Sequence, residues 1–137
     1  MAISLNPYLH FAGDARAAME FYRSVLGGQL DVMTFGDAGG GGGEFPDDGV
    51  MHSFLRTDAG LELMASDGAD PTARATGKVS CSISGDDVEI LTRYFAGLAE
   101  GGTVDVPFEK QMWGDVFGQL TDRFGIRWLV NAATPAS

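Results

Sequence analysis

The chain has a single cysteine, Cys81, and only two histidines, His10 and His52, among its 137 residues. One cysteine excludes an intrachain disulfide. Its neighbours Ser80, Ser82 and Ile83 read as a strand carrying an inert, half-buried thiol rather than a nucleophile. Basic residues are also scarce, with 9 Lys and Arg against 19 Asp and Glu. The resulting formal net charge of −10 repels nucleic-acid phosphates and anionic membrane surfaces alike. No apolar run is long enough for a membrane span, and the opening MAISLNPYLH lacks the basic flank and apolar stretch of a signal peptide. These absences predict a soluble, cytoplasmic protein with no nucleic-acid or membrane partner.

Other chemistries are missing as well. No Ser/His/Asp or Cys/His set has nucleophilic spacing, and the carboxylates scatter over turns and helix surfaces, so covalent catalysis is not expected. Asp14, Asp86 and Asp122 read as helix caps and turn formers. The glycine run Gly39 to Gly43 could cradle a phosphate, but Glu44, Phe45, Pro46, Asp47 and Asp48 follow in place of a helix start and a lysine. A flexible loop, able to act as a lid, is the better reading.

What is present is a duplication within one domain, 1–137. Residues 3–11 are rich in strand-forming types, and Gly13-Asp14 marks a turn and a helix start. From Asp14 to Leu26 the apolar residues Ala15, Ala18, Met19, Tyr22, Val25 and Leu26 keep three-and-four spacing, and Gly27-Gly28 ends the helix. A strand over 29–35 and a hairpin of 50–57 and 60–65 complete the first unit. The second unit begins with strand 78–84. Asp86 and Glu89 form a capping-box-like start to a helix with Val88, Leu91, Phe95 and Leu98 on one face. The matching words drift slowly: Gly13-Asp14 to Gly85-Asp86 is an offset of 72, Gly27-Gly28 to Gly101-Gly102 one of 74. Thr57-Asp58 matches Thr121-Asp122 with an offset of 64, and Gly60 matches Gly125 with 65. Two βαβββ modules, approximately 3–66 and 78–132, are predicted.

The words NPYLHFAGDARAAMEFYRSVLGG, VMHSFLRTDAGLELMASD and WGDVFGQLTDRFGIRWLVN resemble the vicinal oxygen chelate superfamily of glyoxalases, bleomycin-resistance proteins and dioxygenases. Within it the likeness is to the PhnB-like branch. It covers about Ile3 to Ala132 and rests on the combination of Asn6-Pro7-Tyr8, Met19-Glu20-Phe21-Tyr22, Trp113-Gly114 and Asp122-Arg123-Phe124-Gly125. The resemblance implies an α+β, glyoxalase-like fold in which two βαβββ modules form a cup-shaped curved mixed sheet, usually in a homodimer. It does not imply an activity.

Metal-dependent relatives bind a divalent ion with His, Glu or Asp from the first and last strands of the modules. The corresponding positions here are Asn6 or Pro7, Lys78 or Val79, Met64 and Leu129, none of them a good ligand. Glu62 shares Met64's face by strand alternation, and its repeat mate is Arg127. Facing inward, Arg127 would attract an anionic substrate or pair with Glu62; it reads equally well as an exposed residue on an outer face. His10, His52 and Glu62 would make a metal or acid/base constellation if all three converged, but turn length leaves the face of His52 undecided. Phe35, Phe45, Trp113 and Phe117 fall, by resemblance, around the cup mouth. Trp113 reads equally as a core, ligand-contacting or dimer residue, and Trp128, opposite Arg127 and Leu129, as buried against the helices.

The expectation is a protein that binds a small metabolite or drug in a partly apolar cup, with no firmly held metal or other cofactor. Tyr8, His10, His52, Glu62, Trp113 and Arg127 would contact the ligand. The alternative is a lyase or dioxygenase-like enzyme whose divalent metal is held by His10, His52 and Glu62. A third reading is a non-catalytic dimer whose surface is its function. No glycine-rich motif follows a strand and leads a helix in the way a methyl donor would need.

Overall fold

A computed structural model of the chain describes residues 5–37, 47–67 and 79–133. The Gly39–Gly43 loop, Phe45 and Lys78 lie outside the described residues. Two compact units emerge, one holding the first four strands and a helix, the other the last four and a second helix.

The first unit runs β1 (Tyr8–His10), α1 (Ala15–Leu26), β2 (Gln29–Thr34), β3 (Val50–Arg56) and β4 (Glu62–Ser66). Its sheet is mixed, in the order β1-β4-β3-β2, with β1 parallel to β4 and the other pairs antiparallel. The second unit repeats it with β5 (Cys81–Gly85), α2 (Val88–Ala99), β6 (Thr103–Lys110), β7 (Val116–Thr121) and β8 (Arg127–Ala132), ordered β5-β8-β7-β6. Neither sheet closes into a barrel. The predicted α+β pair of βαβββ modules is therefore what the chain forms. Among the described residues, no helix is long and apolar enough to cross a membrane.

Each helix is held by most of the face its spacing predicted, but Val88 of α2 is exposed and Val25 of α1 only half-buried. Ala15, Ala18, Met19, Tyr22 and Leu26 of α1 are buried, with Met19 and Tyr22 fully so. Side chains of that size each contribute roughly 1.5–3 kcal/mol by leaving water. The helix packs on β2, β3 and β4, and the alternate sheet residues Leu9, Ser53, Leu55, Leu63 and Ala65 are likewise buried. In the second unit Leu91, Phe95 and Leu98 of α2 are buried. Phe95 stacks on Phe108 of β6 at 5.3 Å, over Gly118, where any side chain would strike both rings' residues.

Two cap assignments need correction. The α1 start is at Asp14, but that side chain makes no capping bond. Instead Oδ1 of buried Asp67, just past β4, accepts from the amides of Gly13 and Ala15, while its Oδ2 accepts from Val50. Orphan amides at a helix start need an acceptor, and here a residue distant in sequence supplies it. In α2 the cap is Asp87 rather than Asp86; its carboxylate accepts from Ile90 at 3.1 Å.

The hairpin equivalence also shifts. The Thr57 amide donates to the Leu61 carbonyl and Gly60 to Thr57; the Asp122 amide donates to Ile126 and Gly125 to Asp122. Thr57 therefore corresponds to Asp122, not Thr121, because backbone pairing rather than the shared Thr-Asp word defines the turn.

Candidate functional site

The sheet of the first unit has one face under α1 and a second face bearing Tyr8, His10, His52, Phe54, Arg56, Glu62 and Met64. Strand register places them. Tyr8 pairs with Met64, Phe54 with Met64 and Arg56 with Glu62, so these side chains rise together, alternating with the buried set.

A bulge decides where His52 points. Met33 pairs with His52 but Thr34 pairs with Val50, so Met51 is an extra residue in β3. Val50 and Ser53 both turn into the core as a result, and His52 joins Phe54 on the ring-bearing face.

The rings form a row. Tyr8 reaches over β4 to β3, where its hydroxyl lies 3.2 Å from Nδ1 of His52. The Tyr8 ring centroid is 5.8 Å from that of His52 and 5.1 Å from that of His10, tilted by 32° and 35°. Tyr8 and His10 are exposed and His52 half-buried, so the row is accessible to a ligand. Beside it lie Met64, Phe54 and the exposed Met33. At the other end of the face the Arg56 guanidinium sits 5.0 Å over the Phe54 ring, next to a shallow depression lined also by Gly28, Gln29 and Asp31.

Glu62 shares this face, but its carboxylate lies 3.5 Å from the Asn6 amide rather than with the imidazoles. Among the described residues no group of three or more His, Cys, Asp and Glu is placed to hold a metal ion.

Trp113 and Arg127 belong to the second unit. Trp113 sits in the β6–β7 turn, 60% exposed, its ring 6.2 Å from that of Phe117. Arg127 is exposed and pairs with Thr121, at the opposite end of β7. The second unit therefore does not bring these two residues together. Its sheet face away from α2 carries Ser82, Ser84, Gln119, Leu129 and Asn131, with the Asn131 amide donating to Asp115 at 3.2 Å. Cys81 is buried on the helix side, and burial, aided by Asp122, pushes its thiol up to about 11, as an inert thiol requires.

Phe54, Met33 and Arg56 were missed by sequence reasoning. Alternation from His52 would have indicated Phe54 and Arg56, had the face of His52 been known.

Known proteins match this architecture along nearly its whole length. The chain is 32% identical to Protein YjdN of Escherichia coli, with 93% of each chain covered. It is 38% identical to the crystal structure of protein PA1353 from Pseudomonas aeruginosa, with a TM-score of 0.79, covering 98% of this chain and 100% of that one. A PhnB protein from Bacillus cereus, 24% identical over 96% of this chain and all of its own, shares the fold with a TM-score of 0.78. A family model matches residues 4–130, and the chain belongs to the Glyoxalase/Bleomycin resistance protein/Dioxygenase superfamily.

Proposed function

We propose that this chain is a PhnB-like, small-molecule-binding member of the superfamily, which seats a metabolite or drug against the ring-bearing face of its first unit without a firmly held metal. The observation that supports this reading is the row His10–Tyr8–His52, three accessible rings beside Met64 and Phe54. Aromatic faces flanked by a thioether and a few directed polar groups are the usual lining of a small-molecule site. Tyr8, His10 and His52 are the contacts, with Glu62 a peripheral one on the same face. The homodimer usual among relatives and a cytoplasmic setting belong to the same proposal.

The test is ligand-observed NMR against metabolite and drug panels, followed by imidazole spectra. With two histidines in the chain, His10→Gln and His52→Gln assign both signals. A genuine ligand shifts both and loses roughly tenfold in affinity in Tyr8→Ala, the loss of one well-placed ring. Ligands that bind tightly but leave both imidazoles unmoved would place the site elsewhere. Stoichiometric metal in protein purified without added ions, lost in Glu62→Ala or His52→Ala, would overturn the metal-free reading. A monomer mass by light scattering would remove the homodimer from it.

A further inference from the structure

The ring row has a directional polarity. Both of the chain's histidines lie on this one face, at either side of Tyr8. Arg56 on β3 and Glu62 on β4, against Asn6, lie at the opposite end, and Asp31 on β2 flanks Phe54 at the edge of the sheet. Between the two ends lie Met64 and Phe54. Asp37, Asp47 and Asp48 stand in the β2–β3 connection rather than on the sheet face, and the Asp37 carboxylate is occupied by the Thr34 amide at 3.1 Å. A face with an apolar, aromatic middle and imidazole donors at one end complements a flat molecule with an anionic oxygen at one edge.

We infer that the ligand of this face is a planar aromatic carboxylate, and that the Tyr8–His52 pair senses its charge. This deepens the small-molecule reading above and rests on it. In either neutral tautomer of His52 the pair offers a ligand one donor, because the proton shared between Nδ1 and the Tyr8 hydroxyl is used internally. When His52 is protonated, both of its nitrogens donate. Nδ1–H then turns to the Tyr8 oxygen, the hydroxyl proton is released outward, and Nε2–H remains, so the pair presents two donors and a positive charge. A carboxylate gains the hydroxyl's hydrogen bond together with the imidazolium charge; a neutral amide gains much less.

The experiment uses 2-naphthoate and its uncharged analogue 2-naphthamide, titrated calorimetrically at pH 6 and pH 8 into the full chain. Naphthoate is expected to bind roughly five- to tenfold tighter at pH 6, the size of one added charge-assisted hydrogen bond at an accessible site, while naphthamide shows no pH dependence. Tyr8→Phe keeps the ring and removes the hydroxyl, and His52→Gln keeps a donor and removes the imidazole. Each should flatten the naphthoate pH dependence while circular dichroism stays unchanged. Equal binding of naphthoate and naphthamide at pH 6 would overturn the carboxylate preference and leave the small-molecule reading standing. A pH dependence that persists in both variants would overturn the role of the pair. Failure of both naphthalenes, while panel ligands of non-planar shape shift the imidazole signals, would overturn the planar class alone.

Discussion

The indole Nε1 of Trp128 donates to Oδ2 of Asp122 at 2.9 Å, and both residues are buried. The other oxygen of Asp122 accepts from the amides of Phe124 at 2.8 Å and Ile126 at 3.0 Å. One carboxylate thus fixes both the β7–β8 turn and the largest side chain of β8.

Asp122→Ala would strand two turn amides and a buried indole, and should lower stability by about 2–4 kcal/mol in urea unfolding. Trp128→Phe should lower it by roughly 1–3 kcal/mol through lost volume and a lost donor. The double variant should fall short of the sum, because the two share one bond.

The cap of α1 offers a sharper contrast. Asp67→Ala removes three hydrogen bonds, two of them buried, and should destabilise by about 2–4 kcal/mol. Asp14→Ala should change stability by under roughly 0.5 kcal/mol, since its side chain caps nothing. Asp87→Ala should fall between them at about 1 kcal/mol, the usual loss of an N-cap. Thermal melts of the three variants check the order. An Asp14 variant as damaged as the Asp67 variant would return the cap to its sequence neighbour.

Gly28 and Gly102 lie where a β-carbon would collide with the carbonyl oxygens of Arg56 and Thr121 respectively. Gly28→Ala and Gly102→Ala should each lose roughly 2 kcal/mol or more, from a backbone that cannot yield. Gly60 is the control: its φ of +89° is left-handed but its surroundings are open. Gly60→Ala should therefore lose only about 1–2 kcal/mol of conformational strain.

Cys81 predicts an alkaline limb. Its thiol is raised in the folded state from 9.0 to about 11, first by burial and then by Asp122. Below the unfolded value both states keep the proton and its stabilising contribution is whole. Between 9.0 and about 11 only the unfolded chain releases the proton, so stability falls as pH rises through that window. Cys81→Ala should flatten this limb in denaturant midpoints measured from pH 8 to pH 11. Native Cys81 should also resist iodoacetamide at pH 8 until denaturant is added. Rapid alkylation of folded protein would contradict the burial.

The duplication, both helices and the burial of Trp128 were legible because each rests on local physics. Three-and-four spacing, strand alternation and glycine at helix ends act over a few residues, and Ala15, Met19, Tyr22, Leu91 and Phe95 carry them directly. The ring row was not legible. His52 could be assigned to a face only once the bulge at Met51 was known, and Tyr8 meets it only because β4 lies between β1 and β3 at a spacing that a tyrosine side chain spans. The α1 cap likewise passed to Asp67 because the end of β4 runs alongside the helix start. The sequence by itself determined the modules and their cores. Only the tertiary structure decided which side chains meet, since register and strand order are set by pairings between residues far apart along the chain.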